Sequence, residues 1–257
     1  MRRERVAGHV RRLNSFGPPV RAPFPDPRMS TNSALDSFLD KWRDRWPEWE
    51  VAGRFVSPAL QRPALAWFAL LQEFEDIMNI AGDPLPADAK LAWWQQELRD
   101  WSGRRSRHPL GRVLEPFVAP WAQLAESLPA MQEARGQPLS LEAALAVLQP
   151  FAEAVVAVEA VLFGRARPAD AQAVAVQWLA ARLAAAGAAA APAGVVVDSW
   201  RAQLLAQWPR KAALAQPHRV WSRMARLRAA REQQGRPVWA PPLQQLWHAW
   251  RAASGGA

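Results

Sequence analysis

Apolar residues recur at steps of three and four along most of the chain. Leu35, Phe38, Leu39, Trp42 and Trp46 form the first such stripe, entered through Ser33 and Asp36 in a capping-box arrangement and stopped by Pro47. Ser57 followed by Pro58 predicts a helix start, and from Pro63 the residues Leu65, Phe68, Leu71, Phe74 and Met78 mark a long helix ending near Gly82. Asp88 opens another, with Leu91, Trp94, Leu98 and Trp101 on one face. The basic, polar turn SGRRSRHP then breaks the pattern before a short helix at Leu110 to Leu114.

The second half repeats the theme. Trp121, Leu124 and Leu128 predict a helix. Ser140 caps a segment over 141–163 whose inward residues are Leu141, Leu145, Leu148, Val155 and Leu162, and Pro150 is expected to kink or divide it. Ala169 to Ala186 is alanine-dominated, AAGAAAAPAG is a connector, and Asp198 caps Ser199 to Trp208. Helices over 218–233 and 242–253 follow. No stretch alternates β-branched residues with period two, and Ala, the strongest helix former, dominates. The predicted fold class is all-α, a single helical domain over 29–257.

Composition narrows the chemistry. The chain has 257 residues, no Cys, no Tyr and 15 Trp, so disulfides, thiolate metal sites, thiol nucleophiles and phenolic acid–base groups are all excluded. Tryptophans at helical spacing are read as core. The four His are far apart, with no zinc-ligand spacing among them. No GxSxG, GxGxxG or GxxxxGK[ST] motif occurs, which leaves hydrolase and nucleotide readings without support. The longest uncharged stretch, Leu183 to Val197, is shorter than the ~20 apolar residues that span a bilayer, so no transmembrane helix is predicted.

The net charge of +9 is unevenly placed. Residues 1–28 hold seven Arg against Glu4 and Asp26 and no apolar h-region, so they read as a basic, Pro-rich, disordered leader and not as an export signal. Met29 opens the helical pattern, which makes it a candidate natural start. Residues 201–257 carry ten Lys and Arg against the single acid Glu232, while the body between is acidic.

The run RFVSPALQRPALAWFALLQEFEDIMNI resembles the opening of the squalene/phytoene synthase family, whose corresponding helix bears an aspartate-rich motif. ADAKLAWWQQELRDWSGRRSRHPLGRVL is similar to the family's next helix and its polar turn. The stretch from Arg219 to Ala253 is similar to its terminal helices. The resemblance implies an isoprenoid-synthase-type fold in which two acid-rich helices face each other across an apolar cavity. There they hold Mg²⁺ against the leaving pyrophosphate of an isoprenyl diphosphate.

At the first motif the matching positions are Glu75, Asp76 and Asn79, the candidate metal ligands. At the second, ADAQAVAVQWLAARLAAAG has no pair of acids, only Asp170 near its start with Gln172, Gln177 and Arg182. This pattern resembles a degenerate branch of the family, to which a respiratory complex I assembly factor belongs. The expectation is a catalytically inactive member with an apolar, isoprenoid-binding or assembly role, needing no metal. The alternative is an active Mg²⁺-dependent head-to-head prenyltransferase of isoprenyl diphosphates.

On the segment 218–233, Arg219, Arg223 and Arg226 share one face, while Val220, Trp221, Met224 and Leu227 take another. Leu243, Leu246, Trp247 and Trp250 repeat the apolar spacing in the last helix. Two readings stand: a basic amphipathic pair that contacts a phosphate or an anionic membrane surface, or core-packing helices with a solvated Arg face. No nucleic-acid motif accompanies the charge, so nucleic acid is not an expected partner. The expected location is the cytoplasm, with peripheral membrane association through this basic end.

Overall fold

The computed structural model describes residues 27–164 and 170–255. Most of the leader, residues 1–26, lies outside them. Among the described residues every regular element is a helix, as the patterning predicts. In chain order these are α1 (Pro27–Arg45), α2 (Trp49–Ala52), α3 (Pro58–Met78), α4 (Leu85–Ser102), α5 (Gly111–Leu114), α6 (Trp121–Ser127), α7 (Pro129–Glu133), α8 (Leu141–Leu162), α9 (Ala171–Ala186), α10 (Val197–Gln207), α11 (Gln216–Gln233) and α12 (Pro242–Ala253).

The differences from expectation lie mostly at helix ends, and they have physical reasons. α1 begins at Pro27, a residue suited to a first helical position because its missing amide is not needed there. Ser33 and Asp36 therefore sit inside the helix. α3, by contrast, starts at Pro58 as Ser57–Pro58 predicts, and it runs through Pro63 without a break. The carbonyl that Pro63 leaves unpaired belongs to Ala59, which is exposed and can be met by water. Pro150 likewise neither ends nor divides α8, since its orphaned acceptor lies on exposed Ala146. Asp198 falls within the first turn of α10, where its carboxylate meets Arg201 at 2.6 Å, and does not cap the helix. Ser140 does cap α8, accepting from the Ala143 amide, and Asp170 caps α9 through the Ala173 amide.

α3 is the central helix, buried almost continuously from Ala64 to Met78 and packed by α1, α4, α5, α7, α9 and α11. α8 and α9 form an antiparallel hairpin against it, and α12 packs back on α11 and α2. α8 and the run Ala171–Ala190 are long and apolar enough to cross a bilayer by length and composition, although isolated acids interrupt the first and Arg182 the second, so neither stands out as an uncharged stretch. About half of each is buried inside the helical fold (44% and 50%), as befits a core hairpin.

Eleven of the 15 Trp are buried, as expected of core residues. Trp93, Trp239, Trp247 and Trp250 are exposed, which corrects the reading for those four. Trp42, Trp49, Phe68 and Trp221 meet edge-to-face and tilted in a continuous cluster joining α1, α2, α3 and α11. Beside it, Glu159 of α8 accepts from Trp67 Nε1 at 2.7 Å and lies 2.6 Å from His218 Nδ1, so three helices meet at one buried carboxylate.

Candidate functional site

Two charged regions are candidates, the acid motif on α3 and the Arg-rich face of α11. At the first, Glu73, Glu75 and Asp76 occupy the last two turns of α3 and Asn79 is its C-cap, and each is engaged by a partner. Lys41 of α1 places its Nζ 2.8 Å from both Glu73 and Asp76, and Gln72 donates to the other Asp76 oxygen. Arg45, one turn farther along α1, donates to Glu75 at 2.9 Å. Glu75 is buried, which pushes its carboxyl up, while Arg45 works in the opposite direction. Asn79 turns its amide onto the Glu75 carbonyl, and its side-chain oxygen accepts from Arg182 of α9 at 3.1 Å.

This arrangement does not fit Mg²⁺. A hard cation needs several oxygens converging on one point, whereas here two cationic side chains sit on the carboxylates and a third holds the Asn oxygen. No three His, Cys, Asp or Glu side chains among the described residues converge as a metal site. Arg182 also donates to the Arg135 carbonyl at 2.6 Å, so α9 presents a positive charge to the motif.

Next to Glu75 opens a cavity of about 290 Å³ between α1, α3, α9 and α11. Ala180, Ala181, Ala184 and Ala185 form one wall because α9 offers only methyl groups there. Arg45, Gln177, Arg228 and Glu232 supply the polar lining. Gln177 Oε1 is buried with no hydrogen-bond partner. Arg228 lies between the rings of Trp46 and Trp239, 3.7 and 4.4 Å from their centroids, and donates to Glu48 at the edge of the same cavity.

The second region contains the three arginines that the sequence places on one face of α11. Arg219, Arg223 and Arg226 line one pocket of about 450 Å³, together with Arg210, Lys211 and Arg251. Among the described residues no Asp or Glu lines it, and Arg210, Lys211, Arg223 and Arg226 have no carboxylate within salt-bridge distance.

The side chains are ordered by carbonyls instead. Arg219 donates to the carbonyls of Ala252 and Ala253 at the end of α12, and Arg226 to those of Leu205 and Trp208 at the end of α10. Arginines at helix C-termini satisfy orphan carbonyls and complement the helix dipole. Arg223, between them, donates to His248 Nδ1 at 3.0 Å. Burial and then Arg226, Arg251 and Arg210 hold the Arg223 guanidinium below its ordinary value. Burial and Arg210 do the same to Arg226. Arg210, Lys211, Arg223 and Arg226 thus bring four cations to one pocket with no carboxylate paired to them among the described residues.

Sequence reasoning passed over Glu97 and the Glu159–His218 pair. Glu97, fully buried, accepts from Trp101 Nε1, from the backbone amides of Arg107 and His108, and from Arg107 Nε, so it organises the polar turn after α4. Burial raises its carboxyl, but these donors outweigh burial and hold it below the usual range. The missed signal was an acid set inside an apolar stripe: Glu97 between Trp94 and Trp101, Glu159 between Val155 and Leu162.

Comparison with protein-family models, curated proteins and solved structures finds no match to this chain.

Proposed function

We propose that this chain is a squalene/phytoene synthase-like helical protein that has given up prenyl transfer and binds an apolar, isoprenoid-type ligand in the α1/α3/α9/α11 cavity. The observation that carries this reading is Lys41 bridging Glu73 and Asp76 while Arg45 pairs with Glu75. The cations that would neutralise a pyrophosphate are replaced by the protein's own side chains, which are directed at the carboxylates. Isoprenyl diphosphate ionisation needs metal charge at the leaving group, and a lysine ammonium tied between two acids does not supply it. The alanine wall of α9 and the flanking indoles of Trp46 and Trp208 give the cavity an apolar character suited to hydrocarbon.

The active-enzyme alternative has one observation in its favour: Glu232 of α11 lines the same cavity as Glu75, so a second acid does approach. Its carboxylate, however, faces Arg201 at 3.6 Å.

The deciding experiment incubates the full chain with farnesyl or geranylgeranyl diphosphate and Mg²⁺ and measures pyrophosphate. No release is expected, and Mg²⁺ alone should leave the thermal midpoint unchanged. Robust release, abolished by Asp76→Ala, would reverse the assignment.

A further inference from the structure

The last helix carries its apolar residues on the outside. In α12, Ala249 and Ala252 are the buried positions, whereas Leu243, Leu246, Trp247 and Trp250 are 80%, 44%, 45% and 54% exposed. These four stand at i, i+3, i+4 and i+7. At 3.6 residues per turn they occupy an arc of about 100° on one face of the helix. A core-packing helix buries such a stripe, and this one presents it to solvent.

The stripe adjoins the cationic pocket. Arg251 lines that pocket and also lies 4.8 Å from the Trp247 ring, so the same side chain borders both features. His248, about 100° around the helix from Trp247 and half-buried, meets Arg223 on the pocket wall. Unspent donors remain on the guanidinium groups: Arg223 uses Nε, and Arg226 uses Nε and one terminal nitrogen, of the five N–H groups each carries. Planar forks with free N–H groups, oriented by partners behind them, match the oxygens of a phosphate group.

We infer that α12 and the Arg pocket together form a docking surface for an anionic lipid bilayer. Leu243, Leu246 and the two indoles enter the headgroup–acyl boundary, and the pocket receives a lipid phosphate. The occupant follows from the pairing of features. A soluble phosphate compound would use the pocket and leave the stripe in water, whereas a bilayer satisfies both at once, with indoles at the interfacial depth they favour and cations against the negative surface. Docking of this kind is independent of whether the acid motif is catalytic.

The test is flotation of the full chain with phosphatidylcholine vesicles, with and without phosphatidylglycerol, at low and high salt. The chain should float only with the anionic vesicles, and less at high salt. Arg210 and Lys211 are both exposed, so neutralising them threatens the fold little. Arg210→Gln with Lys211→Gln should lower the partition coefficient about thirtyfold, near fivefold per cation. Leu243→Ser with Trp250→Ser should abolish flotation while the helical circular dichroism is kept.

Absence of flotation, or equal binding to neutral vesicles, overturns the inference. So does a response of the His248 ring resonances to inorganic phosphate without vesicle binding, which would make the pocket a site for soluble phosphate.

Discussion

Arg223 Nε donates to His248 Nδ1 across 3.0 Å, and a ring nitrogen can accept that bond only when it carries no proton. Burial first, and then Arg223, Arg251 and Arg226, push the His248 imidazole down to about 4. His108, packed against Phe38 and Trp94, is likewise pushed to about 4 by burial, although Glu97 pulls the other way.

Both imidazoles should therefore stay neutral in the folded protein while the unfolded chain takes up protons near the ordinary value of 6.5. The unfolded state binds more protons over that interval, so stability is fully present above about 6.5 and is lost as pH falls toward 4. Urea midpoints measured across pH should be level above the window and fall within it. The fall should shrink in a variant with both His replaced by Gln. An NMR titration showing His248 protonating near 6.5 would contradict the geometry.

The Arg45–Glu75 pair joins a half-exposed guanidinium to a carboxylate that is 8% exposed. Arg45→Ala strands that carboxylate. Exposed pairs contribute ~0–1 kcal/mol and breaking a buried pair costs ~3–5 kcal/mol, so a loss of about 2 kcal/mol is expected here. Adding Glu75→Gln should restore most of it, which chemical denaturation of the single and double variants measures. A double variant no more stable than Arg45→Ala would show that the carboxylate's charge is not what the arginine offsets.

Glu159 is the junction of α3, α8 and α11 through Trp67 and His218. Glu159→Ala removes the acceptor for two buried donors and should cost about 3–5 kcal/mol. Glu159→Gln keeps the shape and an acceptor oxygen, and should cost less. Denaturant unfolding ranks them, and an Ala variant as stable as the parent would mean that the network contributes nothing net.

The helical class, the number and order of the long helices and most of the core were legible from periodicity, because burial of a stripe is a local property of each segment. Helix starts at Pro27 and Leu85 were not: they depend on where an unpaired backbone group meets solvent, which no stripe records. The same is true of Pro150, whose freed acceptor belongs to an exposed residue.

The candidate sites divide similarly. Arg219, Arg223 and Arg226 were recognisable as one face, since their spacing is intrahelical. Arg210, Lys211 and Arg251 join them only through the packing of α10, α11 and α12. That Glu73, Glu75 and Asp76 meet Lys41 and Arg45 depends on the register of α1 against α3, which lies across some thirty residues of chain and leaves no trace in either segment alone.

The exposed stripe of α12 also bears on self-association. Two copies meeting stripe to stripe would bury eight large apolar side chains, the kind of contact that produces concentration-dependent dimers. The cationic flank would oppose that encounter, since each copy carries like charge beside the stripe. Salt would then act in opposite senses on the two associations: it would weaken the proposed attachment to an anionic surface and screen the repulsion between two copies. Sedimentation at rising ionic strength would follow the second effect where flotation follows the first.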